Sequence, residues 1–257
     1  AMIKHYEKLL QLKCFTHQDP IHLFGDAKKA GNILYELKKK GLIQSVRRNL
    51  YVAISLETHG SAASPFEIAS SITDGCCLSH HSAFEFYGLA NQVFTDIYVS
   101  SPAKFREFTF EGRRYHCVRT ARSFGLEKYH KIRVTDLERT ILDGLKDFDK
   151  IGGLEELLRC LAMVTLVREQ VLIDYLGHYD NCFLAQKAGY LLSFFPHLKL
   201  SEPFFEYCRQ HKGESSRYLC HDTKNAPKTF IKEWNLCVPA DITEWIQEGG
   251  DAFVPLH

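Results

Sequence analysis

The stretch Ala27-Lys28-Lys29-Ala30-Gly31-Asn32-Ile33-Leu34-Tyr35-Glu36-Leu37-Lys38-Lys39-Lys40-Gly41, followed at once by Leu42-Ile43-Gln44-Ser45-Val46-Arg47-Arg48-Asn49-Leu50-Tyr51-Val52-Ala53-Ile54, decides the fold of the first part of this chain. Ala30, Ile33, Leu34 and Leu37 recur at i, i+3, i+4 and i+7, one apolar stripe of a helix, while Lys28, Lys29, Asn32, Tyr35, Glu36 and Lys39 fall on the open face. Gly41 stands where a left-handed cap ends such a helix. The two β-prone runs that follow, hinged on Arg47-Arg48-Asn49, predict a hairpin with a basic turn.

Upstream, Ile3, Tyr6, Leu9, Leu10 and Lys13 share helical spacing and predict an opening amphipathic helix. A short helix through Ile21, Leu23 and Phe24 follows, capped by Thr16 or Asp19 and closed by the turn Gly25-Asp26. Helix, short helix, turn, helix and hairpin is the order of a winged helix-turn-helix, placed here at residues 2–54. In that motif the helix after the turn enters the major groove of double-stranded DNA and the wing touches the backbone. The open face then assigns base-edge contacts to Lys28, Lys29, Asn32 and Tyr35, with Lys39 alongside. Asn pairs with adenine in two hydrogen bonds and Lys reaches guanine acceptors. Arg47 and Arg48, in the hairpin turn, are expected to meet phosphates, adding affinity and salt dependence more than sequence readout.

Charge partition agrees with that placement. Through Ile54, ten Lys and Arg oppose four acids, a net +6, whereas the rest of the chain carries 22 basic against 27 acidic residues, a net −5. A basic end joined to a mildly acidic remainder is the footprint of a protein that meets a polyanion with one end. The 257 residues are 45% hydrophobic and 25% charged, an ordinary globular composition. No run approaches the roughly 18 apolar residues of a membrane span, and the N-terminus lacks the apolar core of a secretion signal, so no membrane partner and a cytoplasmic location are expected. The nine cysteines include no C-x-x-C pair, so neither a disulfide framework nor a zinc ribbon is indicated.

Residues 55–64 have turn-forming composition without periodicity and predict a linker. Ser64-Pro65-Phe66-Glu67 then opens a second domain, residues 65–257, with a capping box. Strand candidates at Cys76–Leu78, Asp96–Ser100, Phe105–Phe110, Arg113–Val118 and Lys131–Val134 precede helical patterns at Leu154–Val164, Arg168–Leu176 and Cys182–Phe195. The expected fold class is therefore α+β: an N-terminal winged helix-turn-helix followed by a larger mixed α+β domain whose C-terminal half is mainly helical.

Three segments together resemble the AbiEi antitoxin family of transcriptional regulators. They are Leu34–Ile43 running on to Arg47-Arg48-Asn49-Leu50-Tyr51; Leu78-Ser79-His80-His81-Ser82-Ala83-Phe84-Glu85-Phe86-Tyr87-Gly88-Leu89 with Ile97-Tyr98-Val99; and Val134-Thr135-Asp136-Leu137-Glu138-Arg139-Thr140-Ile141-Leu142-Asp143. The likeness covers roughly residues 15 to 145 and marks Ser79, His80, His81, Tyr87, Thr135, Asp136, Glu138, Arg139 and Asp143 in the second domain. It implies an autorepressor on inverted repeats upstream of its own operon, in a type IV toxin–antitoxin or abortive-infection system. It further implies that the second domain antagonises a co-encoded nucleotidyltransferase-like toxin without a stable complex. The competing expectations are a protein-interaction module, or an orphan regulator with no toxin.

His80-His81 near Cys76-Cys77 offers zinc-type ligands, but neighbours on a strand face opposite ways and no second pair stands at ligand spacing, so no metal is expected. Ser79 reads as a helix cap, and the histidines as first-turn residues with one side chain bonded locally. Asp136, Glu138 and Asp143 could serve as acid/base carboxylates and Arg139 as an anion clamp. As first-turn acids they also complement a helix dipole, Thr135 and Glu138 form a capping box, and Arg139 can pair with Asp136 or Asp143. With no Walker loop, dinucleotide fingerprint or G-x-S-x-G, no cofactor, no catalytic residue and no enzyme activity are expected.

Overall fold

A computed structural model describes residues 2–251 as a mixed α+β protein of two compact units. Of the described residues, the first comprises 2–78 with Thr95–Arg122 and Lys128–Val134; the second comprises Ser79–Phe94, Ser123–Glu127 and 135–251.

The first unit opens with α1 (Met2–Leu12), β1 (Cys14–Phe15), α2 (Gln18–Phe24), α3 (Ala27–Lys39), β2 (Ile43–Arg47) and β3 (Leu50–Ala53). The strands form an antiparallel sheet in the order β1-β3-β2. The predicted apolar stripe is the buried one: Ala30, Ile33 and Leu37 of α3 are buried, and Ile33 and Leu37 share a core with Tyr6, Leu9, Phe15, Phe24 and Ile43. Asp26 caps α3 by accepting from Lys29 N (2.8 Å), and Gly41, at φ +69°, ends it while Leu42 N donates to Leu37 O (3.0 Å). The start of α2 differs from expectation. His17 is its N-cap residue without a side-chain capping bond, and Asp19, in the first turn, reaches back to accept from Thr16 N (2.8 Å).

In residues 55–64, Ile54 bridges Ser61, Ala62 N donates to Ala53 O (2.8 Å) and Ser61 N to Glu111 Oε1 (3.0 Å), so the turn-forming composition makes a folded turn bonded within the first unit. After it, α4 (Pro65–Ala69) starts on the expected capping box of Ser64 and Glu67. A six-stranded mixed sheet of β4 (Cys77–Leu78), β5 (Asp96–Ser101), β6 (Phe108–Phe110), β7 (Arg113–Arg119), β8 (Leu126–Tyr129) and β9 (Ile132–Thr135) runs in the order β6-β7-β5-β4-β9-β8. The β6–β7 hairpin turns at Glu111-Gly112, both with positive φ, the backbone that matches strand twist in a two-residue turn.

The second unit holds α5 (His80–Phe86), α6 (Leu137–Lys146), α7 (Leu154–Met163), α8 (Glu169–Tyr179), α9 (Cys182–Leu192), α10 (Glu202–His211) and α11 (Ile242–Asp251), with a small sheet of β10 (Arg217–Tyr218), β11 (Lys228–Ile231) and β12 (Leu236–Pro239). Its core joins Phe84, Ile141, Leu142, Leu157, Leu161, Leu184, Leu191, Phe204 and Trp234.

Candidate nucleic-acid interface

On α3 the side chains opposite the core are Lys28, Lys29, Asn32, Tyr35 and Lys39, all exposed, with Tyr35 at 66%. Lys28, Lys29 and Asn32 border a shallow depression together with His5 of α1. Burial first, and then neighbouring charges including Lys29 and Lys8, hold the His5 imidazole below its ordinary pKa. Helix, turn and capping Asp26 thus present five polar side chains on one outward face of a rigid element.

The two arginines of the hairpin part company. Arg47 pairs with Leu50 at the end of β2, and its guanidinium lies over the rings of Phe105 (5.6 Å) and Phe108 (5.4 Å). It is half-buried, with Nη1 buried and without a hydrogen-bond partner. Arg48 occupies the two-residue turn with Asn49 and is exposed. Of the two, Arg48 has its charge outside.

The nine residues marked in the second domain lie in two buried networks of the second unit. Ser79 precedes α5, but its Oγ pairs with His80 Nδ1 (2.8 Å) and makes no cap bond to the helix. His80 Nε2 lies 3.7 Å from Asp147, whose carboxyl is held below its ordinary pKa against the opposing effect of burial by His80, Lys150 and Lys146. His81 reaches beyond its own helix as well as along it. Its Nε2 meets Glu156 Oε1 of α7 (3.1 Å), its Nδ1 stands 3.4 Å from Glu85, and its ring stacks on Phe94 at 3.7 Å. Burial alone would lower the His81 pKa, but Glu156 and Glu85 raise it above the ordinary value. Glu156 Oε1 also accepts from Asn91 N and Gln92 N, both at 3.1 Å, and Cys160 Sγ lies 3.8 Å away. His81, Glu156 and Cys160 therefore bring three ligand-type atoms within 4.8 Å of one another, a donor set that zinc accepts. Burial pushes the Cys160 thiol up, which opposes the thiolate that a metal requires. The helix α7 supplies both partners some 75 residues beyond His81, so no spacing in the sequence could show this cluster.

The second network corrects the expected capping box. Asp136, not Thr135, is the N-cap of α6 and accepts from Arg139 N (2.8 Å); Thr135 Oγ1 pairs with Thr140 Oγ1 (2.8 Å). Glu138, instead of reaching back, accepts from Arg168 N (2.8 Å) and Arg168 Nη2 (2.6 Å), and Arg168 holds its carboxyl below the ordinary range despite burial. Asp136 Oδ2 accepts from Tyr175 OH (2.6 Å) and Arg168 Nη2 (3.3 Å). Arg139, 1% exposed, donates to Phe124 O (2.7 Å), lies over the Phe124 ring and stands 3.4 Å from Asp143, which accepts from Tyr179 OH (2.5 Å). Tyr87 OH donates to Thr135 O (2.9 Å). These carboxylates are engaged by internal partners that tie α6 to α8, and none of the nine residues lines the cavity between Phe148, Phe183 and Trp245.

No family model matches this chain, and no curated protein sequence matches it. Among solved structures, the chain is similar to the crystal structure of the RV2827C protein from Mycobacterium tuberculosis, with a TM-score of 0.64 at 15% identity over 95% of this chain and 93% of that one. The likeness extends over nearly the whole of both chains and is one of fold.

Proposed function

We propose that this protein is a sequence-specific DNA-binding regulator whose residues 2–54 form a winged helix-turn-helix. The observation that carries the reading is α3: a helix set on a turn, apolar side inward, with Lys28, Lys29, Asn32, Tyr35 and Lys39 all on its solvent side. The element order and the β1-β3-β2 sheet support it, because a helix placed after a turn and followed by a hairpin suits major-groove entry with the hairpin near the backbone. Together with the AbiEi-like segments, this makes the protein an autorepressor and antitoxin acting in the cytoplasm on its own operator and against a nucleotidyltransferase-like toxin.

The test is a fluorescence-anisotropy titration against the DNA upstream of its own gene and a scrambled duplex at several salt concentrations. Preference for the native fragment, weakened by Asn32→Ala and Lys28→Ala, is the expected result. The salt slope should flatten by about one on Arg48→Ala, and less on Arg47→Ala because Arg47 rests on Phe105 and Phe108. Equal weak binding to both duplexes would overturn the proposal.

A further inference from the structure

The second unit contains a cavity of about 950 Å³, within the size range of small-molecule sites. Phe148, Leu154, Phe183, Leu219, Pro239 and Trp245 give it apolar walls, and Lys187 of α9 reaches into it. The charged groups of the lining are unequal. Glu155, Asp149, Asp222 and Asp241 are exposed, Glu155 accepts from Arg159 Nη2 (2.7 Å), and Lys146 has a partner in Asp147 (3.1 Å). Lys187 is only 4% exposed. Its Nζ donates to Lys146 O (3.0 Å) and sits over the rings of Phe148 (4.6 Å) and Phe183 (4.4 Å). Among the described residues no carboxylate lies within 4 Å of it, so an ammonium there has a single hydrogen bond for three N–H groups.

We propose that this cavity binds a small organic carboxylate with an apolar aromatic body, its carboxylate paired with the Lys187 ammonium and its rings against Phe148, Phe183 and Trp245. Asp147 and Asp149 favour the charged amine without touching it, and a carboxylate fits because it adds two acceptors in direct contact with an ammonium that has one, beside apolar walls where such a pair is strong. The exposed acids among the lining residues, Asp149, Glu155, Asp222 and Asp241, disfavour multiply charged anions such as nucleotides. Burial pushes the Lys187 amine down to about 8, and a bound carboxylate reverses that shift.

The experiment compares hexanoate, benzoate and 2-naphthoate, each with its primary amide, by calorimetric titration of the full chain at pH 7. Binding that strengthens with the size of the apolar body, at least tenfold tighter for 2-naphthoate than for 2-naphthamide, is the expected result. Lys187→Met should abolish the acid-over-amide preference. In the unaltered protein, saturating 2-naphthoate should also slow reductive methylation of Lys187 severalfold, read by peptide mass spectrometry, which decides the matter should the variant not fold. Equal affinity for acid and amide, no binding by any acid, or unchanged methylation overturns the proposal.

Discussion

His81 sits between two carboxylates in a fully buried place, and its charge state controls what the pair is worth. Its folded pKa is raised above 6.5, so its contribution to stability is complete below 6.5 and is lost as pH rises through the folded value. The Glu156 pKa is lowered, burial opposing and His81 prevailing, so its contribution is present above 4.5 and is lost as pH falls through the folded value. Both are in force between about pH 4.5 and 6.5. Glu156→Gln keeps an acceptor for Asn91 N and Gln92 N but removes the charge. We expect it to cost about 1–3 kcal/mol at pH 6 and distinctly less at pH 8.5, by chemical denaturation. An NMR titration of His81 should give a pKa above 6.5 that falls in the variant. An equal cost at both pH values, or a His81 that titrates below 6.5, would show that the imidazole is neutral and the contact an ordinary hydrogen bond. None of this was legible in the sequence. His80-His81 stood out as residue types, yet the partners of His81 are Glu85, one turn on, and Glu156, on α7, and only tertiary packing selects them.

At the scale of elements, two glycines in helices lead to opposite expectations. Gly189 of α9 is where Trp234 crosses: an added Cβ would lie 2.2 Å from Trp234 Cζ3 and 2.3 Å from Cη2, in the core of the second unit. Gly31 of α3 has nothing within 4 Å of an added Cβ. Gly189→Ala should destabilise by about 1–3 kcal/mol or more as the indole is displaced, and Gly31→Ala should stabilise by about 0.5–1 kcal/mol through helix propensity. Thermal melts of the two variants check this, and a neutral Gly189→Ala would mean that Trp234 has room to move. The elements themselves were largely readable where periodicity and caps coincide: α1, α3, the β2–β3 and β6–β7 hairpins and the Ser64 capping box follow from side-chain spacing and turn residues. Shorter elements were not. The two-residue β1 and the exposed β8 have no alternation to read, and the capping residue of α6 shifted from Thr135 to Asp136 because Glu138 is drawn to Arg168, a partner 30 residues away.

At the scale of the molecule, the charge asymmetry pointed to a separable N-terminal piece, but the first unit is assembled from three stretches of chain. Phe105 and Phe108 beneath Arg47 come from the second of these. Lys131, whose Nζ donates to Gln11 O (3.0 Å) and Leu12 O (2.7 Å) at the C-terminus of α1, comes from the third. That ammonium satisfies carbonyls that the last turn of a helix leaves open and complements the negative end of its dipole. A fragment of residues 2–54 keeps the apolar core of Tyr6, Leu9, Phe15, Phe24, Ile33, Leu37 and Ile43 but loses these supports. Small cores of this length stabilise only marginally, so each lost contact is a large share of the total. We therefore expect amides of α1 and of the β2–β3 turn to exchange hydrogen at least tenfold faster in the 2–54 fragment than in the full chain. Lys131→Met in the full chain should reproduce the α1 part of that change. Equal protection in the fragment and the full chain would mean that residues 2–54 fold as an independent module, and the composition-based boundary at 54 would be the physical one.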